Sequence, residues 1–249
     1  PHVHGGDSVK KNMYGVLIAL IPAFLVSLYF FGLGALVVTA TSVAACLFFE
    51  WAIGKFLLKK ETSTICDGSA VITGVLLAFN LPSNLPIWII IIGALFAIGV
   101  GKMSFGGLGS NPFNPALVGR VFLLLSFPVQ MTSWPVVGQL TSYTDATTAA
   151  TPLNLMKQVV GGNVDALKEL PSSFDLLIGN NGGCLGEVSA LALLLGLAYM
   201  LWKRIITWHI PVAILGTVFV FSGIMHLVDP VHYVSPVLQL FTGGLMLGA

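Results

Sequence analysis

Apolar runs long enough to cross a membrane recur along this chain, separated by short polar or glycine-rich joints. A helix needs about 17–25 mostly apolar residues to span the hydrocarbon. Met13–Phe31 and Leu33–Leu58 meet that length with only Gly32 between them, which predicts a helical hairpin. Asp67–Leu81 is marginal and opens Asp67-Gly68-Ser69, so a short or broken span is expected there. Pro86–Val100 follows, then Asn114–Phe127, also short and led in by Asn and Pro. Apolar density falls from Pro128 to about Gly186, and spans resume at Glu187–Trp202, Ile206–Leu227 and Ser235 onward. The pattern predicts an all-α integral membrane protein with about eight transmembrane helices.

Composition supports that class. Hydrophobic residues make up 56% of the chain and charged residues 8%, against about 25% charged in a soluble domain; mean hydropathy is +0.93. A formal net charge of +1 offers no field for nucleic acid. Cys46, Cys66 and Cys184 have no CxxC spacing and no companion His, so disulfide, zinc and iron–sulfur chemistry lack support. His2, His4, His209, His226 and His232 show no ligand spacing either. No charged segment leads into a cleavage site, so a removable signal peptide is not expected. Pro1 opens without Met and Ala249 falls inside an apolar run, so both ends read as cut.

Positive charge orients the spans, because short cytoplasmic loops are rich in Lys and Arg. Lys10 and Lys11, then Lys55, Lys59 and Lys60, then Lys203 and Arg204 all fall on one side if each run crosses once. Residues 129–186 then lie on the opposite, extracytoplasmic side. A faint repeat relates Cys66–Val71 to Cys184–Leu191 and Phe105–Gly109 to Phe241–Leu245. With five spans before the second copy, the halves would have inverted topology, as in transporters with broken helices. Three parts are expected: a first transmembrane repeat over residues 1–128, an extracytoplasmic loop over 129–186, and a second repeat over 187–249.

Three places invite chemistry. Gly101–Pro115 concentrates Gly, Pro and Asn at membrane depth, where irregular backbone is tolerated only if protein buries it or it lines a cavity. It reads either as a pocket wall for a polar planar ligand or ion, or as a helix–turn–helix with Asn caps. Asp67 and Glu187, at corresponding places in the repeat, read either as a cation path or as acids complementing helix N-termini. Glu50, Trp51 and Trp202 read as interface anchors. The third place is Asp145-Ala146-Thr147-Thr148-Ala149-Ala150-Thr151-Pro152, whose end reads as a helix start, with Thr151 as N-cap and Pro152 at the first helical position.

Asp145–Thr151 also resembles the flavinylation motif Asp-x-x-Ser/Thr-Gly-Ala-Ser/Thr, with Ala149 where the motif has Gly. Together with His2–Ser8, Asp67–Gly74, Gly101–Arg120 and Ile178–Glu187, it makes nearly the whole chain similar to the D-subunit family of the Rnf complexes. The sister family is the B subunit of the sodium-pumping NADH:quinone reductase. The resemblance implies a urea-transporter-like inverted-repeat fold of about ten helices in the full protein, in the bacterial inner membrane. It also implies electron transfer within a ferredoxin:NAD oxidoreductase that pumps Na⁺ or H⁺.

By the same resemblance, Thr151 carries FMN through a phosphodiester bond, with Asp145, Thr148 and Ala150 around it, and a flavin transferase installs it. A noncovalent riboflavin is implied as well, for which Gly106, Gly107, Asn111 and Asn114 are the candidate contacts. The implied partners are the flavin-bearing G subunit, the C, A and E subunits, and membrane lipid. Two rivals stand beside this reading: the quinone-reductase B subunit, and a urea-transporter-like channel with no redox group, which would have no use for a modified Thr.

Overall fold

A computed structural model describes residues 8–59, 65–143, 147–148, 150–160, 172–187, 189–230, 233, 235–242 and 244–248. Regular structure among these residues is helical, with one isolated antiparallel bridge between Pro135 and Thr148. Helix α1 (Val9–Phe31) starts at Ser8, whose hydroxyl accepts the Lys11 N–H at 3.2 Å. Helix α2 (Leu33–Ala52) runs on through a π-helical turn at Ile53–Leu57. Gly32 joins them at φ 51°, and a Cβ there would stand 2.3 Å from the Leu140 carbonyl oxygen. Only glycine fits that backbone and that contact.

The remaining helices are α3 (Ser69–Phe79), α4 (Ile87–Leu95), α5 (Pro115–Ser126), α6 (Pro128–Met131), α7 (Pro152–Val160), α8 (Ser173–Ile178), α9 (Ala190–Trp202), α10 (His209–Val228), α11 (Pro236–Phe241) and α12 (Leu245–Gly248). Among the described residues, four apolar helices are long enough to cross a membrane: Val9–Phe31, Leu33–Leu57, His209–Val228 and Ile87–Phe105, the last being α4 continued through a π-helical turn at Phe96–Val100 and a 3-10 turn at Met103–Phe105. Ser69–Phe79, Pro115–Ser126 and Ala190–Trp202 are the shorter ones. The eight runs expected from the sequence thus become seven such helices and a final run broken into α11 and α12. The protein is an all-α integral membrane protein.

Small residues let the helices approach. In lipid the hydrophobic effect does not drive helices together, so close packing and hydrogen bonds must. Gly74 of α3 lies against α2, where an added Cβ would be 2.7 Å from the Val43 Cα, and Ser42 donates to the Gly74 carbonyl at 2.8 Å. Gly196 of α9 meets the Ala19 carbonyl of α1, leaving 2.4 Å for a Cβ. Gly74→Ala is therefore expected to destabilise the fold by about 1–3 kcal/mol through overpacking. Gly216→Ala in α10, with nothing within 4 Å, should not. Thermal unfolding in detergent compares the two.

Short α3 does not cross alone. Its released carbonyls are taken by the segment before α9: Gly186 N–H donates to Phe79 at 2.9 Å and Leu185 N–H to Leu81 at 3.2 Å. Ser27 of α1 donates to the Leu185 carbonyl from the other side. Two broken elements thus satisfy each other inside protein, which is the condition for irregular backbone at this depth.

The basic clusters gather at one end of the helices. Gly68, which opens α3, packs on Met13 and Tyr14 near the start of α1; Gly15 packs on Ile205, just past Lys203 and Arg204; Gly54, beside Lys55, faces Met103. The opposite end holds the Gly32 joint, where Leu33 N–H donates to Leu140 at 2.8 Å, and Tyr143, which donates to the Leu85 carbonyl.

Candidate functional site

Thr151 caps α7, its hydroxyl oxygen accepting the Asn154 N–H at 3.2 Å. The helix that follows is amphipathic: Pro152, Leu155, Met156 and Val159 are buried, while Asn154, Lys157 and Gln158 are exposed. Thr151 itself is partly exposed, and Thr148 and Ala150 are exposed beside it. The segment leading to it is clamped by Gln139, a residue with no local sequence signal. Gln139 donates to the Thr147 carbonyl at 2.9 Å and accepts the Thr147 N–H at 2.8 Å. Val136 N–H also donates to the Thr147 carbonyl, at 2.9 Å. Asp145, Ala146 and Ala149 lie outside the described residues.

This arrangement fits a phosphodiester on Thr151. Thr151 is partly exposed, Thr148 and Ala150 near it are small, and the N–H groups of the first turn of α7 favour an anion. An esterified Oγ still has lone pairs for the Asn154 N–H. Beyond the loop, Ser172 caps α8 and donates to the Asp175 carboxylate at 2.6 Å. The Ser172 hydroxyl, followed by the Asn180 side chain, holds Asp175 below the usual carboxylate range.

At the opposite, Lys-rich end lies a buried polar chain. Lys102 donates to Glu50 Oε2 at 2.6 Å and to Ser69 Oγ at 2.6 Å. Ser69 Oγ donates to Asp67 Oδ1 at 2.5 Å, and Ser69 N–H to the same oxygen at 2.7 Å. Glu50 and Lys102 are each 2% exposed. Glu50 is therefore no interface anchor: it faces inward from α2 and pairs with a cation from the stretch after α4. Trp51 and Trp202 are exposed, with Lys55 and Lys203 over their rings at 5.2 and 4.7 Å. Glu50 had one sequence signal, an acid inside an apolar run; its partner, 52 residues away, lies in the glycine-rich run, where nothing in the sequence signals this pairing.

Asp67 and Glu187 are not brought together. Asp67 opens α3, whereas Glu187 sits by the opposite end of that helix, where its Oε2 accepts the Cys184 N–H at 3.4 Å. Eleven residues of helix, about 16 Å of rise, separate the two places. Beside Glu187, Arg120 of α5 donates to Asn80 Oδ1 at 2.5 Å, and Cys184 Sγ lies 3.6 Å from the Asn80 carbonyl.

The glycine-rich run forms a largely exposed turn at the Lys-rich end. Gly106, Gly107 and Gly109 take positive φ values of 106°, 107° and 88°. Asn111 donates to the Phe113 carbonyl at 2.8 Å, and Asn114 Oδ1 accepts the Ala116 N–H at 3.0 Å as the α5 cap.

Residues 1–249 match the model of the NQR2, RnfD, RnfE family. The chain belongs to this family. Its relatives include D subunits of ion-translocating oxidoreductase complexes that align with all of it. That of the Na⁺-translocating ferredoxin:NAD⁺ oxidoreductase complex of Acetobacterium woodii is 45% identical, with 73% of that protein covered. That of the proton-translocating ferredoxin:NAD⁺ oxidoreductase complex of Clostridium ljungdahlii is 37% identical, with 75% covered. That of the ion-translocating oxidoreductase complex of Actinobacillus succinogenes is 36% identical, with 78% covered.

Proposed function

We propose that this chain is the membrane electron-transfer subunit of an ion-translocating ferredoxin:NAD⁺ oxidoreductase of the Rnf type, carrying FMN on Thr151. The family membership supports the complex, and the observation that carries the cofactor is Thr151 itself: a partly exposed threonine in a flavinylation-like motif, at a helix N-terminus suited to a phosphate ester. The flavin, once attached, supplies the electron transfer. The protein's residues supply the rest: Thr151 holds the ester, α7 faces its charge with N–H groups, and Gln139 fixes the backbone leading to it. Thr148 and Ala150 leave room for the transferase, with Asp145 completing the motif.

In this reading the bacterial inner membrane contains the helices, the Lys-rich end faces the cytoplasm, and residues 129–186 face outward where the transferase works. The partners are the flavin-bearing G subunit, the C, A and E subunits, and lipid. Residues 1–128 and 187–249 form the two transmembrane repeats, with α3 and α9 as their short helices. A second, noncovalent riboflavin would contact Gly106, Gly107, Asn111 and Asn114. The pumped ion is Na⁺ or H⁺; the Acetobacterium relative belongs to a Na⁺-translocating complex and the Clostridium relative to a proton-translocating one.

Proteoliposomes containing the assembled complex should couple NAD⁺ reduction by reduced ferredoxin to ion uptake, and a complex lacking this chain should lose both. Retention of both without the chain refutes the assignment. Asp67→Asn and Glu187→Gln should each lower ion uptake per electron while electron flow persists. Unchanged stoichiometry in both variants removes these acids from the ion path.

A further inference from the structure

A cavity of about 550 Å³ opens between α7, α10 and α11. Its walls are mostly apolar, including Met156 of α7 and Phe221 and Met225 of α10. Polar groups are few: Lys157 of α7, Thr217 and Ser222 of α10, Tyr233 between α10 and α11, and Gln239 of α11. Apolar walls, sparse polar groups and a volume between about 300 and 1,000 Å³ are the marks of a small-molecule site. A lipid chain would have no use for the polar groups.

The α7 side of the cavity begins at Leu153, two residues past the proposed attachment point. Lys157 is six residues beyond Thr151, about 9 Å of helix rise. Buried Met156 ties the floor to α11, its sulfur 3.6 Å from the Thr242 hydroxyl. Building on the reading that Thr151 carries FMN, we propose that this cavity receives the isoalloxazine ring of that flavin and that Lys157 is its positioning residue. The ring has an apolar dimethylbenzene edge and a polar pyrimidine edge, matching walls that combine Met and Phe with Lys, Ser and Gln. Among the described residues of the lining, Lys157 carries the one formal charge, and it is positive. Positive charge beside a group that gains electrons favours reduction.

The test uses the complete complex matured with the transferase. Three properties are read for each variant: FMN mass on the Thr151 peptide, the midpoint potential of that flavin, and quenching of its fluorescence by iodide. Lys157→Gln should keep FMN attached but lower the potential, and Lys157→Arg should restore it. Ser222→Trp, which fills the cavity, should leave FMN attached yet raise iodide quenching. Attached FMN with potential and quenching unchanged in both Lys157→Gln and Ser222→Trp overturns the assignment and leaves the cavity to lipid. Absence of FMN from wild-type Thr151 is a different failure, of the attachment reading, and removes the ring with it.

Discussion

Glu50→Gln is expected to cost about 3–5 kcal/mol and to lower the unfolding temperature of the assembled complex by several degrees, because it leaves the buried Lys102 ammonium without its anion. The pair is removed from solvent on both sides, with side-chain exposures of 3% for Lys102 and 1% for Glu50. Neither partner can turn to water when the other is lost. Lys102→Met should cost a similar amount by taking the cation from the buried Glu50 carboxylate. The double variant Glu50→Leu/Lys102→Met should recover most of the loss, since replacing a buried pair with apolar groups of similar volume is often neutral. Ser69 would still donate to Asp67 in that variant, keeping the start of α3 in place. Single variants that melt within about 0.5 kcal/mol of wild type would show that the pair is solvated in the assembled protein.

Thr151→Val should abolish covalent FMN and, with it, ferredoxin-dependent NAD⁺ reduction, while the complex still assembles. Valine keeps the β-branched shape but has no oxygen to esterify. Loss of the cap costs only about 0.5–2 kcal/mol, and α7 is also held by buried Leu155, Met156 and Val159. Assembly and electron transfer should therefore separate. Thr151→Ser keeps both the cap and an ester oxygen and should retain the flavin. A Thr151→Val complex with wild-type electron flow would remove Thr151 from the redox route.

Much of the architecture is legible in the sequence because membrane spans are written in length and composition, which need no tertiary contact to interpret. The five spans before residue 128 appear close to their expected bounds, and Asn114 and Thr151 cap their helices as their Pro-led first turns imply. What stays hidden depends on distant partners. The Glu50–Lys102 pair joins residues whose local sequences share no signal, so Glu50 reads as an anchor beside Trp51 until the fold turns it inward. The close of α3 depends on Leu185 and Gly186, which lie more than a hundred residues later. Gln139 is invisible in the pattern because a side-chain amide clamping an irregular loop leaves no periodicity. Asp67 and Glu187 are visible as acids beside apolar runs, yet only the fold shows that a whole short helix lies between them.

The central claim is covalent, so mass decides it. The complex is to be purified from cells with and without the flavin transferase, digested, and the peptide spanning Pro152 and its preceding residues weighed and sequenced. The proposed function predicts one FMN, as its phosphodiester, on Thr151 only when the transferase is present. An unmodified Thr151 in fully matured, electron-transferring complex would contradict it.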